Sequence, residues 1–243
     1  MSRAAPASCV LFCLALAACA AQQASAPPPG GEVLFDGTLQ ELLPHHDGDE
    51  FVYRISGDGT PDTLVVQRIS APGDGGTVFA TLGKQGPGEG VVVASELRDD
   101  GTTLWVVREE MRAMDLALLY AQPLPYLKVP LRTGVTESRS PVTLQRLSTG
   151  EVVAKGQALQ RVSVTRAPAE AGPEVLAIGV ERHLDIGDKT VQTRSGSWLK
   201  PGIGTVLSQN ASEAGPITRQ QLVCARIQGK EIGNCTPAGE EAR

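Results

Sequence analysis

The chain has 243 residues and a formal charge of −5, from 22 Lys and Arg against 27 Asp and Glu. Its basic residues are scattered singly, which argues against the clustered positive surface that grips nucleic acid. Aromatic residues make up only 4% of the chain, so a core must rest on Val, Leu, Ile and Ala.

Arg3 and the free amine precede an apolar run, Ala4 to Ala18, interrupted by Ser8 and Cys9. A helix of that length, at about 1.5 Å per residue, falls short of a bilayer core of about 30 Å. The run therefore reads as a secretion signal rather than a span. It ends in Leu16-Ala17-Ala18-Cys19. These four residues resemble the lipobox of bacterial lipoproteins. The resemblance implies a diacylglycerol thioether on Cys19, cleavage before it and acylation of the new amine, with the membrane as the first partner. The competing reading is an ordinary signal peptide or membrane helix in which Cys19 is incidental. Ala20 follows the cysteine, with no Asp beside it. By analogy with enterobacterial sorting, that favours the outer membrane, facing the periplasm.

The expected organisation is a signal peptide over 1–18, a lipidated cysteine and Pro-rich tether over 19–31, one antiparallel β domain over 32–236 and a disordered tail over 237–243. Ala20 to Gly31 holds three consecutive prolines and no core-forming residues, as a spacer would. Leu39 to Leu43 fits one helical turn stopped by Pro44. From Phe51 onward, short Val-, Ile- and Thr-rich runs recur at intervals near ten residues. They include Phe51 to Ile55, Thr63 to Ile69, Thr77 to Thr81, Val91 to Ala94 and Thr102 to Val107. Later runs cover Val142 to Leu147, Glu151 to Lys155, Ala158 to Thr165, Val175 to Leu184, Thr190 to Arg194, Gly204 to Ser208 and Thr218 to Ile227. Turns such as Asp58-Gly59 and Asp99-Asp100-Gly101 separate them, the rhythm of an antiparallel meander. Arg108 to Ala121 has helix-favouring composition, but its alternation from Met114 to Tyr120 reads as strand. The predicted fold class is all-β, a curled sheet or open barrel.

Of the five cysteines, Cys9 and Cys13 leave with the signal and Cys19 is the anchor. Cys224 and Cys235 remain, in an oxidising compartment, with Gln228-Gly229-Lys230 as a turn between them. A disulfide is expected, contributing roughly 2–3 kcal/mol on chain-entropy grounds. A redox or metal-binding thiol pair is the alternative, and it lacks Cys-x-x-Cys spacing and a nearby His.

Leu43-Pro44-x-x-x-Gly48 and Val129-Pro130-x-x-x-Gly134 share a spacing, as if two halves began alike. Together with Trp198-Leu199-Lys200-Pro201-Gly202-Ile203-Gly204-Thr205-Val206, these landmarks resemble a group of bacterial envelope proteins of undefined activity. Phe51 stands where that group usually has Trp. The resemblance implies a curled antiparallel sheet or open barrel. Pro201-Gly202 fits a type II turn, and Gly204 leaves room for a close approach, with Trp198 the expected ring to fold over it. The alternative places Trp198 at a ligand mouth.

His45-His46-Asp47-Gly48-Asp49-Glu50 is the one cluster that looks like a site. His45, His46 and Asp47 carry donor atoms for Zn²⁺ or a harder cation. Yet adjacent residues of an extended chain face opposite ways, so a polar lead-in loop is the plainer reading and no metal or cofactor is assigned. Gly83 to Gly90 is glycine-rich without the ending of a phosphate loop. No Gly-x-Ser-x-Gly elbow or His-Glu-x-x-His occurs, so no catalytic residue is assigned. The expectation is a non-enzymatic envelope lipoprotein whose concave apolar face holds a lipid-like or peptide ligand. The alternatives are an assembly accessory that binds an envelope protein through a sheet edge, and a hydrolase with an unrecognised site.

Overall fold

A computed structural model describes residues 30–57, 60–71, 76–84, 90–212 and 215–235. The expected signal peptide, Cys19 with the expected tether as far as residue 29, the expected Asp58-Gly59 turn, residues 85–89 of the glycine-rich stretch and the expected tail lie outside the described residues.

In chain order the elements are β1 (Val33–Phe35), α1 (Leu39–Leu42), β2 (Glu50–Gly57), β3 (Thr60–Ser70), β4 (Thr77–Lys84), β5 (Val91–Asp99) and β6 (Thr103–Met111). A 3-10 turn, Arg112–Met114, leads into β7 (Leu116–Lys128), β8 (Leu131–Arg132), β9 (Gly134–Arg146) and β10 (Val152–Arg166). A second such turn, Ala169–Ala171, precedes β11 (Leu176–Ile186), β12 (Lys189–Lys200), β13 (Gly204–Ser212), β14 (Gly215–Ile227) and β15 (Lys230–Gly233). Twelve strands, β2–β7 and β9–β14, pair antiparallel in a meander. The pairings β14–β2 and β13–β14 close it into a barrel, with β15 added beside β14 and β1 paired to β8 as a separate ribbon.

The sheet is thus all-β and antiparallel, and closed rather than open. Closure gives every one of the twelve strands two neighbours, but β7 and β9 pair only between Leu116–Tyr120 and Val142–Arg146. The edge-pairing reading therefore keeps the rest of that seam as well as the short strands β1, β8 and β15. Several predicted runs merge: 151–155 and 158–165 form one strand, β10. The 108–121 stretch is strand at both ends but turns between them. Met114 sits in that turn, 63% exposed, instead of alternating into the core.

The two ends of the barrel differ. Leu39 and Leu42 of α1 are buried with Leu104, Leu127, Val164, Leu176 and Leu199, which come from the same end of β6, β7, β10, β11 and β12. The helix thus plugs that end. Thr38 starts it with a capping box: its side chain accepts from the Glu41 N–H, and the Glu41 carboxylate accepts from the Thr38 N–H at 2.7 Å. That end also carries the start of the described chain. Arg132 donates to the Gly31 carbonyl, and Glu32 pairs with Arg166.

The Trp198–Val206 motif serves the same plug. Ile203 N–H donates to the Lys200 carbonyl and Gly202 has φ +78°, as a type II turn requires. Gly202 also donates to the Glu41 carbonyl at 2.6 Å. Gly204 has φ +90°, and a Cβ there would lie 3.2 Å from the Leu43 side chain and 3.5 Å from Pro44. The close approach is therefore to the Leu43-Pro44 turn, not to Trp198. Trp198 points outward, half-buried in a shallow outer groove beside Ile203, Leu222 and Ile232. The two Pro-x-x-x-Gly turns also differ in conformation, since Val129-Pro130 is cis and Pro44 is not.

The C-terminal hairpin turns at Gln228-Gly229, both at positive φ, with Ile227 opposite Lys230. A Cys224–Cys235 disulfide closes it, with Cα atoms 5.3 Å apart. Cys224, Val52 and Val66 form a small outer cluster under Cys235 and Val223.

Candidate functional site

The histidine cluster is spent on ties within the fold. His45 is buried, with Nδ1 2.6 Å from the Leu43 carbonyl and Nε2 2.9 Å from an Asp99 carboxylate oxygen. His46 instead sits 3.1 Å from Asp49 and contacts the Gln228 amide. Asp47 accepts from the Ala71 N–H. Asp49, fully buried, accepts from the backbone N–H groups of His46 and Gln228 and so joins the lead-in loop to the β14–β15 turn. Among the described residues no group of three or more His, Cys, Asp or Glu side chains converges as metal ligands would.

What the fold does build is a lumen. Eight strands leave a barrel just wide enough for side chains to fill, whereas wider barrels enclose cavities. With twelve strands, part of this interior is packed and part is open. On one wall, Val106, Leu118, Tyr120, Leu124, Val142, Ala158 and Leu184 form a tight cluster. The opposite wall borders a cavity of about 680 Å³ that runs from Leu43, above the plug, past Gln67 and Ser95 to Thr193, Asn210 and Thr218. A neighbouring cavity of about 270 Å³ shares Gln67, Ser95, Tyr126, Ser195 and Asn210 with it.

Where the two walls meet lies a buried polar cluster. Arg182 on β11 donates through Nη1 to Glu109 on β6 at 2.5 Å, and through Nε and Nη2 to Gln160 Oε1 at 3.1 and 2.6 Å. Gln160, fully buried, donates in turn to the Pro125 carbonyl at 2.8 Å. The Tyr120 hydroxyl donates to the same Glu109 oxygen at 2.5 Å, and the guanidinium lies 5.5 Å from the Tyr120 ring centroid. Burial works against the Arg182 charge, but Glu109 and the tyrosines beside it outweigh that and hold the guanidinium protonated. Burial raises the Tyr120 hydroxyl above its ordinary range, and the negative Glu109 adds to the rise. Tyr53 and Tyr126 are likewise raised by burial, so all three tyrosines of the chain stay neutral.

None of Glu109, Gln160 or Arg182 was singled out in the sequence. Their signal is positional: each is a charged or amide residue at an inward position of a strand whose other inward neighbours are apolar. The wall opposite the packed cluster is different again. Thr193, Ser195 and Ser197 of β12 face inward, with Ser195 opposite Asn210 and Ser197 opposite Ser208. Asn210 and Ser208 stand opposite Thr218 and Gln220 of β14. The concave surface is therefore mixed: three adjacent strands line it with hydroxyls and amides, and Leu97, Val106 and Val180 face them with the apolar surface expected from the sequence.

The outer wall carries ion pairs along the strands, including Arg161 with Glu137, Arg194 with Glu181 and Arg68 with Glu50. A membrane-spanning barrel turns an apolar band about 25 Å tall toward lipid, and charges at mid-strand destabilise it. This wall suits water.

No family model matches the sequence, and no curated protein matches it significantly. Two solved structures are similar. One, from Bacteroides fragilis NCTC 9343, is assigned as an exported protein with a YmcC-like fold; it shares 11% identity over 79% of this chain and 98% of its own, at a TM-score of 0.41. The other, from Parabacteroides distasonis ATCC 8503, is assigned as a lipoprotein; it shares 7% identity over 78% of this chain and 97% of its own, at a TM-score of 0.39.

Proposed function

We propose that this chain is a lipid-anchored envelope protein that holds a small ligand inside its barrel and performs no chemistry on it. The observation that carries the reading is the lumen itself: a cavity of about 680 Å³ inside a closed wall, plugged at one end. A barrel that served only as scaffold would fill its inward positions with apolar side chains, as the packed wall does.

The anchor sets the orientation. Cys19 lies eleven residues before Gly30, a stretch that spans at most about 40 Å at 3.3–3.6 Å per residue. Gly30 leaves from the plugged end, so lipidation would hold that end toward the bilayer. The Thr193 and Thr218 end of the cavity would then face away from it, into the periplasm on the outer-membrane reading. Two buried acyl chains suffice for stable anchoring, at about 0.8 kcal/mol per CH₂.

Native mass spectrometry of the full lipidated chain tests this. The expected result is a small molecule that travels with the wild-type protein and is lost in Ala80→Trp, which fills the lumen beside Gln67 and Ser95. A barrel that carries nothing in either form contradicts the reading. The anchor has its own test: labelling by a palmitate analogue should vanish in Cys19→Ala, and unchanged labelling would remove it.

A further inference from the structure

We infer that the lumen takes a neutral ligand rich in hydroxyl and amide groups, rather than an aliphatic chain. The inference rests on the lumen-binding reading above and specifies its chemistry.

The argument starts from period-two alternation. In a barrel with one buried face, inward positions are expected to be apolar. On β12, β13 and β14 they are Thr193, Ser195, Asn210 and Gln220 among others, placed side by side by the pairings of Ser195 with Asn210 and Ser208 with Gln220. Gln67 on β3 and Ser95 on β5 add to that surface, and Leu97, Val106 and Val180 bound the rest of the cavity, so a ligand with polar edges and an apolar ring face fits both sides. A contiguous polar wall inside a protein is costly unless its groups find partners. Here most have none within the fold. Among the described residues, the side chains of Ser95, Thr193, Ser195 and Asn210 make no hydrogen bond. Gln67 accepts only a long 3.4 Å bond from Tyr53, and Gln220 a 3.4 Å bond from Ser208. These amides and hydroxyls each offer both donors and acceptors into the cavity.

Charge completes the specification. Glu109 and Arg182, the charged pair buried at the cavity, neutralise one another at 2.5 Å, Gln160 and Tyr120 take up further capacity of the pair, and Arg194 at the cavity's border is paired with Glu181. A charged ligand would have to break that pair and leave one member buried without its partner, which is expensive. An acyl chain would desolvate the Ser, Thr and Asn groups without replacing their hydrogen bonds. A neutral molecule with alternating hydroxyl or amide donors and acceptors avoids both costs. At about 30 Å³ per water, the main cavity has room for the equivalent of roughly twenty waters, enough for a ligand of two or three sugar or amino-acid units.

Two sources supply this chemistry, an N-acetylated amino sugar and a neutral peptide, and the experiment separates them. The full chain, reconstituted in nanodiscs, is titrated with an N-acetylamino-sugar trimer in one arm and an acetylated tripeptide amide in the other, and binding is read by ligand-observed NMR. Saturable binding in either arm is expected. It should weaken at least about fivefold in Ser195→Ala and Thr193→Val, each of which removes one hydroxyl with little change of shape, and be lost in Ala80→Trp. Asn210→Leu should abolish it, with far-UV circular dichroism checking that the barrel remains. Binding unaffected by all four substitutions places the probe elsewhere and overturns the inference. If neither probe binds while a fatty acid or phospholipid leaves the lumen in native mass spectrometry, the polar specificity is wrong and the lumen-binding reading survives. If neither probe binds and nothing travels with the protein, both fall.

Discussion

The plugged end of the barrel and the β12–β14 wall of its lumen are built by opposite rules. At the plug, Leu39, Leu42, Leu104 and Leu199 are at most 2% exposed, and a Thr38–Glu41 capping box closes the start of the short helix. In the lumen, hydroxyls and amides face open space with few partners. The first region spends its side chains on stability and the second does not, which is how a binding surface differs from a core. Substitutions should therefore be costly at one and cheap at the other.

The largest effect is expected at Leu42. Leu42→Ala should destabilise the protein by about 3–5 kcal/mol in urea unfolding, because the site is closed on all sides and collapses poorly. Ser195→Ala, across the lumen, should change stability by less than about 0.5 kcal/mol. Equal costs at the two positions would erase the distinction. Next comes the seam between the walls. Arg182→Met leaves Glu109 and Gln160 without their partner and should cost about 3 kcal/mol. Adding Glu109→Leu should recover part of that loss, which a double-mutant cycle would read as coupling. The helix cap is smaller: Thr38→Ala should cost about 1 kcal/mol.

The last effect is a shift rather than a loss. Tyr53, Tyr120 and Tyr126 are raised above the ordinary value of 10.0 by burial. Since the folded form holds them protonated more firmly than the unfolded form does, their contribution is complete below pH of about 10 and is lost as pH rises beyond it. Absorbance at 295 nm should show no tyrosinate until above pH 10, with ionisation coinciding with unfolding. A tyrosine that titrates at its ordinary pH with the fold intact would show that its ring is solvated.

Much of the frame was legible in the sequence. The one-turn helix was marked by Leu39 and Pro44, the strands by Val, Ile and Thr runs between Gly-containing turns, and the disulfide by the two cysteines left after the signal. Closure was not legible, because β2 pairs with β14 more than 160 residues away and neither strand carries a local sign of that partner. The lumen was hidden for a related reason. On β12, inward Thr193 and Ser195 alternate with outward Gln192 and Arg194, so both faces are polar and period two cannot tell inside from outside. The same applies to Glu109, which stands between Arg108 and Glu110 in a run that reads as a solvated face. The His45–Glu50 cluster was read as a polar lead-in loop, and the reason its donors do not converge lies outside it: the distant partners Asp99, Ala71 and Gln228 orient its side chains apart.

The open lumen is tested most directly by thiol labelling. Ser195→Cys on the polar wall and Ala158→Cys in the packed wall are exposed in turn to a small neutral methanethiosulfonate reagent, with the native disulfide intact. The account predicts that the thiol at position 195 reacts at a rate approaching that of an exposed cysteine and that the thiol at position 158 stays protected until the protein unfolds. Protection of both positions alike would mean the interior is filled throughout and would contradict the claim that the barrel encloses a binding cavity.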